Sequence, residues 1–279
     1  KDIIDNSSNN STVFNAVLQN LVDQKFPVND DMKEDAATII KQIKSAYKSN
    51  YGDNYKDSLN QALTSAGYKN LSEYRQRMIK QIQYANFLLD YIDDHFDDVF
   101  NDYYQQCAPK YVSLIKISVS DTSSPTDNET SKLNEVKELI SNTDKSFGDI
   151  AQDYSDDSTS SKKGSLGIVD SKDTSGIANS YGKDVFNAIE ALSEGQVSDV
   201  ITGDNGYYFV KVTSTDKKTL KKELKKTDID SPLLAYDDYL QYVVYNSYKI
   251  NYKDKDIKKI VQEVVNKALE ERKTERGEA

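Results

Sequence analysis

The sequence predicts an α+β protein in which a small sheet with its own helices lies between two helical segments. Eight of the eleven glycines fall between Gly148 and Gly206, which indicates a turn-rich middle because glycine favours turns and weakens helices. The flanking residues instead carry apolar side chains at helical spacing. Net charge changes at the same places: −4 for residues 1–110, −8 for residues 111–215 and +2 for residues 216–279. We therefore predict an N-terminal helical domain over 1–110, a mixed domain over 111–215 and C-terminal helices over 216–279.

The first 110 residues predict four or five amphipathic helices. Ser11, Asn29 and Ser72 are residue types that favour helix starts, and each precedes apolar residues three and four positions apart. Gly67 follows the third such run, where helices commonly end. A further helix is predicted to start at Asp93. No helix is apolar on all sides, so each packs against another element through one face.

The middle segment predicts the order strand, helices, strand, helix, strand, strand. Residues 111–119 are rich in β-formers and follow a proline, and residues 133–154 hold two runs at helical spacing. A polar loop then ends at Gly164-Ser-Leu-Gly167, and another helical run covers 185–192. Asp204-Asn-Gly206 is a hairpin signal before the last strand.

The last segment returns to helices. Residues 217–226 hold six lysines and predict a solvated linker or helix face. Ser231 predicts the start of one helix, and Asp254 or Asp256 the start of a final helix through Leu269.

The composition excludes several classes of protein. The single cysteine, Cys107, excludes a disulfide framework and a multi-cysteine zinc site. The single histidine, His95, excludes two-histidine metal sites and also Ser-His-Asp catalysis in which another histidine is the base. A net charge of −10 opposes binding to nucleic acid, and no apolar run is long enough to span a membrane. We therefore expect no metal, no cofactor and no nucleic-acid partner.

Four motifs in the middle segment carry a resemblance to a known family. They are F-G-D-I-A-Q-D-Y-S at 147–155, G-S-L-G at 164–167, the pattern of Phe186, Leu192, Gly195, Val197 and Ser198, and G-Y-Y-F-V-K-V at 206–212. In this order they resemble the parvulin-type peptidyl-prolyl isomerase domain of PrsA- and SurA-like foldases. The resemblance implies a small antiparallel four-stranded sheet with surrounding helices. It also implies that this domain is inserted between helical N- and C-terminal segments that together form one chaperone domain.

The resemblance also assigns the site. It places the family's apolar proline pocket on four residues: Leu166, Ile177, Tyr181 and Phe186. It places an acidic residue near the reacting amide at Asp157, and the family's two histidines at Leu114 and Tyr208, on facing central strands. Both histidines are absent here, and His95 lies outside the segment. From the residues alone, Leu114 and Tyr208 are most simply core residues of the sheet, and Asp157 is more typical of a solvated loop. The four pocket positions fit a core as well as they fit a ligand groove.

The resemblance implies an extracytoplasmic foldase that binds unfolded or partly folded secreted polypeptides. It implies a lipid anchor on the outer face of a Gram-positive cell membrane, through a cysteine expected before Lys1. The missing histidines predict isomerase activity that is weak or lost. The alternative is an active isomerase of X–Pro bonds in exported proteins. The sequence also leaves open a third function, that of a non-enzymatic binding or adhesion module. It leaves open whether the protein forms a homodimer.

Overall fold

The computed structural model describes residues 10–142, 144–224 and 229–278. The contacts among them divide the chain into two compact units. Of the described residues, the first unit holds 10–95, 229–230 and 237–278, and the second holds 96–142, 144–224 and 231–236. The domain boundaries predicted after residues 110 and 215 stay predictions.

The elements follow one another in the predicted order of helices, a mixed segment and helices. Helices of the described N-terminal part are α1 (Asn10–Lys25), α2 (Asp30–Tyr51), α3 (Tyr55–Ser65), α4 (Leu71–Asp94) and α5 (Phe96–Cys107). The mixed segment contains β1 (Lys110–Ser118), α6 (Asp127–Asn142), α7 (Phe147–Tyr154), β2 (Ser165–Val169), α8 (Ile177–Tyr181), α9 (Lys183–Ala191), β3 (Ile201–Gly203) and β4 (Gly206–Ser214). The described C-terminal helices are α10 (Lys217–Glu223), α11 (Leu240–Ser247) and α12 (Lys255–Glu275). None of the helices in these described ranges is long and apolar enough to cross a membrane.

The predicted helix start at Asn29 is confirmed, but the one at Ser72 is wrong. The Asn29 side chain accepts the Met32 N–H at 2.9 Å. Helix α4 instead starts at Leu71, because the Asn70 Oδ1 accepts the Glu73 N–H at 3.0 Å. The Glu73 carboxylate returns to the Lys69 N–H at 2.8 Å, which completes a capping box.

Three other predicted helix starts need correction. Helix α1 already includes Ser11, and α4 continues through Asp93 to Asp94 before α5 begins at Phe96. Ser231 caps only the 3-10 turn Pro232–Leu234, and the next helix starts at Leu240. The start at Asp254 is confirmed, since its carboxylate accepts the N–H groups of Asp256 and Ile257. Part of the lysine-rich segment, residues 225 and 226, lies outside the described residues.

The first unit is held together by helix packing and by a buried carboxylate that pairs with two arginines. An apolar cluster joins α2 to α4 and contains Met32, Ala36, Ile40, Met78, Ile79 and Ile82. Phe14 of α1 stacks on Tyr242 of α11, with ring centroids 4.8 Å apart. The buried carboxylate of Asp237 accepts from Arg272 at 2.8 Å and from Arg276 at 3.0 Å, near the end of α12. Helices α11 and α12 therefore pack with the N-terminal helices of the first unit.

The second unit is built on an antiparallel sheet with strand order β2-β1-β4-β3, which confirms the predicted small four-stranded sheet. In the central pair, Leu114 lies opposite Val210 and Lys116 lies opposite Tyr208. Apolar clusters cover both faces, because alternate residues of a strand point to opposite sides. Helices α6 and α7 pack on one face, whereas α8 and α9 pack on the other. In the same unit, α5 is tied to the loop after β2 by the Tyr103 hydroxyl, which donates to the buried Asp170 carboxylate at 2.8 Å.

Candidate functional site

One face of the sheet gathers most of the positions that the motifs single out. Leu114 and Tyr208, on neighbouring strands, belong to one buried apolar cluster. The same cluster contains or contacts all four predicted pocket residues, which are Leu166, Ile177, Tyr181 and Phe186. Their exposure differs, since Ile177 is only 4% exposed whereas the other three are half-buried. Leu166, Tyr181 and Phe186 therefore offer apolar surface to a ligand, and Ile177 packs behind them.

Local backbone features bring these side chains together. Strand β2 carries Leu166 to the edge of β1. Helix α8 starts at Ile177, where the Asp173 carboxylate accepts the Ile177 N–H at 2.6 Å. Gly182, with a φ of 100°, separates α8 from α9 and lets the chain turn between Tyr181 and Phe186. The site is thus formed by a strand edge and two short helices.

Asp157 lies at the start of the 3-10 turn Ser158–Lys162, beside this cluster. Its Oδ1 accepts the Thr159 N–H at 2.9 Å and the Thr159 hydroxyl at 2.7 Å. The Tyr181 hydroxyl lies 3.5 Å from the same oxygen. The structure therefore places Asp157 within reach of the pocket through Tyr181, with Thr159 fixing the carboxylate.

The phenols of Tyr181 and Tyr208 face each other across the site. Their rings meet edge to face with centroids 6.2 Å apart, and the Tyr208 hydroxyl donates to Asn205 Oδ1 at 2.8 Å. Burial and the nearby Asp157 charge raise the pKa of Tyr181 to about 12. Burial and the charges of Asp157 and Asp204 also raise the pKa of Tyr208. Both phenols therefore keep their protons near neutral pH and can act as hydrogen-bond donors.

A cleft of about 410 Å³ adjoins the two tyrosines. Tyr181 and Tyr208 line it together with Val185 and Ile201, and its rim carries Asp204. Leu166, Ile177 and Phe186 do not line this cleft. Of the four predicted pocket residues, the cleft therefore shares only Tyr181.

Sequence reasoning missed Lys116, Thr159 and Asn205, which all contact a predicted site residue. Lys116 Nζ lies 5.8 Å from the centre of the Tyr208 ring. Its position could have been found, because a strand residue two places after Leu114 points to the same face. The single histidine and the single cysteine are not among these residues. His95 follows the last residue of α4 and stacks on Tyr91, and Cys107 is buried at the end of α5.

Comparison with known proteins finds a family match within the second unit. Residues 114–214 match the rotamase family model described as the PPIC-type PPIASE domain. The curated foldase protein PrsA of Staphylococcus aureus (strain MRSA252) is 31% identical over 159 residues, which cover 54% of this chain and 47% of that protein. A foldase protein PrsA of Staphylococcus epidermidis is 35% identical over 136 residues, covering 46% of this chain and 39% of that protein. The chain thus spans less than half the length of these relatives.

Similar solved structures include two PrsA proteins. A crystal structure of foldase protein PrsA from Streptococcus pneumoniae has a TM-score of 0.45 and 19% identity, covering 94% of this chain and 92% of that one. A crystal structure of PrsA from Bacillus subtilis has a TM-score of 0.44 and 22% identity, covering 92% and 90%. On the family match and the curated relatives, the resemblance to PrsA-like foldases of the parvulin type is confirmed, with residues 114–214 as the PPIC-type domain.

Proposed function

We propose that this chain is an extracytoplasmic foldase that binds unfolded or partly folded secreted polypeptides, and that its parvulin-type domain binds prolyl segments with weak or no isomerase activity. The observation that carries the proposal is the pair of side chains at the histidine positions. Leu114 is fully buried and has no polar atom in its side chain, and Tyr208 holds its proton in a bond to Asn205. Neither side chain can replace an imidazole that exchanges protons near neutral pH.

Binding does not require those imidazoles. Leu166, Tyr181 and Phe186 keep half-buried apolar surface beside the tyrosine pair. Covering such surface with a proline ring is favourable by about 25 cal/mol per Å² removed from water. This supports a groove that binds X–Pro segments although the family's two histidines are absent.

Catalysis needs more than binding. Rotation about an X–Pro bond passes through a twisted amide, and the uncatalysed barrier is about 18–20 kcal/mol for a peptide bond. A site lowers this barrier only if it binds the twisted amide more tightly than the planar one. An apolar Leu114 offers the twisted amide no hydrogen bond, so we expect most of the binding energy to be common to both states.

An active isomerase is the second candidate, and Asp157 with the two protonated tyrosines favours it. Tyr181 lies beside Asp157, and a neutral phenol can donate a hydrogen bond to an amide that loses its planarity. In this alternative the phenols take over the role of the family's histidines. A measured turnover number decides between the two candidates.

Two assays on the same preparation test the proposal. In the first, the protein is added to an aggregating unfolded client, and we expect slower aggregation. In the second, exchange NMR follows cis–trans exchange of an X–Pro peptide, and we expect a rate within a few-fold of the uncatalysed one. Rapid catalysed exchange would favour the active isomerase. Aggregation that proceeds unchanged would contradict the foldase function, and a pull-down that captures one preferred partner would then favour a binding or adhesion module.

The cellular context belongs to the same proposal. We propose an extracytoplasmic location, which the staphylococcal relatives named foldase protein PrsA support. The lipid anchor on the outer face of a Gram-positive cell membrane is proposed from the family resemblance alone. Cell fractionation and mass spectrometry of the native protein test the location and the lipid. Light scattering in solution tests whether the protein is a homodimer.

A further inference from the structure

Lys116 places an ammonium group at the end of an apolar row beside the candidate site. Val112, Leu114 and Lys116 share one face of β1, because alternate strand residues point the same way. Val112 and Leu114 are fully buried, whereas Lys116 is half-buried. Lys116 lies opposite Tyr208, and its Nζ lies 5.8 Å from the centre of that ring.

This ammonium lacks an oxygen partner within the described ranges. Within those ranges, the ammonium contacts the π face of Tyr208, which attracts its positive charge. A ring face offers no lone pair to the three N–H groups of the ammonium. The neighbouring carboxylates are engaged by other groups. Asp156 pairs with Lys132 at 2.6 Å, and Asp157 accepts from Thr159. An oxygen brought by a ligand therefore finds a donor at Lys116.

The chemistry of an X–Pro segment narrows the choice of oxygen. Proline has no N–H, so the groups it presents around its amide are carbonyl oxygens. An acidic side chain would also attract Lys116, but it would approach the negative charges of Asp157 and Asp204. Those charges act at this place, because both raise the pKa of Tyr208. A neutral carbonyl meets much less repulsion.

We propose that Lys116 binds the carbonyl oxygen of the residue that precedes the substrate proline, an inference that rests on the proposed prolyl-binding function. Amide resonance gives this oxygen partial negative charge while the amide is planar, and twisting the C–N bond removes much of that charge. A cation that donates to the oxygen therefore stabilises the planar amide more than the twisted one. Lys116 thus tightens binding and slows rotation, so it makes the groove a holding site.

The test uses Lys116→Met, which keeps the length of the side chain and removes its charge. NMR titration with a Gln–Pro peptide gives the dissociation constant, and exchange NMR at saturating protein gives the rotation rate. We expect Lys116→Met to weaken affinity at least about threefold, because a hydrogen bond from a charged donor is lost. We expect it to accelerate exchange of the bound peptide by a factor of similar size. Lys116→Arg should keep both values near those of the wild type.

Two controls separate this effect from a general one. Lys137→Met removes an exposed charge from α6, which packs on the opposite face of the sheet, and should change neither value. Amide NMR spectra establish that each variant keeps its fold.

Several results would overturn the inference. One is unchanged affinity in Lys116→Met, and another is exchange that is unchanged or slower. A third is a selective loss of binding to a Glu–Pro peptide with little change for Gln–Pro, which would show that Lys116 binds an acidic side chain. If the wild type binds none of the peptides, the proposed prolyl binding fails and the inference fails with it. If the wild type binds and Lys116→Met binds equally well, only the inference fails.

Discussion

Gly164 lies at a close contact between the loop that follows Asp157 and the central strand β1. Its carbonyl accepts the Leu114 N–H at 2.8 Å. Its φ is 76°, and a Cβ added there would lie 2.4 Å from the Leu114 carbonyl oxygen and 2.8 Å from the Ala151 Cβ. Gly167, in the same motif, has a φ of 80° but no atom within 4 Å of an added Cβ. The two glycines therefore share a backbone conformation and differ in available space.

This difference sets the expected cost of each substitution. Alanine in the left-handed region costs about 1–2 kcal/mol, which is the loss of unfolding free energy that we expect for Gly167→Ala. Gly164→Ala adds a steric cost of about 1–3 kcal/mol. Rotation of a side chain cannot relieve the shorter contact, because the atom met is a backbone oxygen of β1. We therefore expect Gly164→Ala to destabilise the second unit by about 2–5 kcal/mol.

Urea titration read from amide NMR signals of β1 and β4 measures both losses in the full chain. The reasoning requires Gly164→Ala to lose clearly more stability than Gly167→Ala. Equal losses would mean that the loop moves away from β1 at little cost, and the close approach would then not hold the site. A loss for Gly164→Ala below that for Gly167→Ala would refute the steric reasoning outright.

Three further predictions concern the groove, the titration of single groups and the first unit. Phe186→Ala should weaken binding of a prolyl peptide in NMR titration by about tenfold, since it removes most of a half-buried aromatic surface, and unchanged affinity would count against the groove. Carbon-13 NMR of labelled tyrosine should show Tyr181 ionising at about pH 12. The same measurement on labelled glutamate should show Glu129 titrating near pH 2, because the backbone N–H groups of Thr126 and Ser120 bind its carboxylate. The stabilisation from Glu129 should be complete above its unfolded-state pKa and lost as the pH falls towards 2. Asp237→Ala should lower the unfolding free energy of the first unit by about 3–5 kcal/mol in urea titration, because it removes the buried carboxylate that accepts from both Arg272 and Arg276.

The order of elements could be predicted from the sequence, whereas several helix starts could not. Asn29 and Asp254 were identifiable because each cap bonds to N–H groups two or three residues away. Ser72 competed with Asn70, which lies two residues earlier and has Glu73 to complete a capping box. Ser231 starts only a 3-10 turn, and the chain then positions Asp237 for ion pairs with residues more than thirty positions away. Local patterns carry no information about such distant partners.

At the site, too, the motifs predicted which residues belong together but not the burial and pairing that other elements determine. The motif order placed Leu166, Ile177, Tyr181 and Phe186 on one stretch of chain, and the structure gathers them in one cluster with Leu114 and Tyr208. The motifs could not show that Ile177 is buried while its three partners keep exposed surface, because helices α8 and α9 decide this by packing on the sheet. They did not include Lys116. Strand alternation places it on the same face as Leu114, but its relevance arises from its pairing with Tyr208 on another strand.

Four neighbouring residues contact Tyr208, more than the loss of a histidine at this position would by itself require. Gly203 leaves room for its ring, since an added Cβ would lie 2.6 Å from the Tyr208 Cε2. Tyr181 packs against the Tyr208 ring edge to face, and Lys116 lies over the face of that ring. Asn205 Oδ1 accepts a hydrogen bond from the Tyr208 hydroxyl. The close approach to Gly203 depends on the size of the six-membered ring, and the bond to Asn205 depends on the phenolic hydroxyl. The site is therefore organised around a group that stays protonated and fixed, which supports the proposed binding of prolyl segments with little isomerase activity.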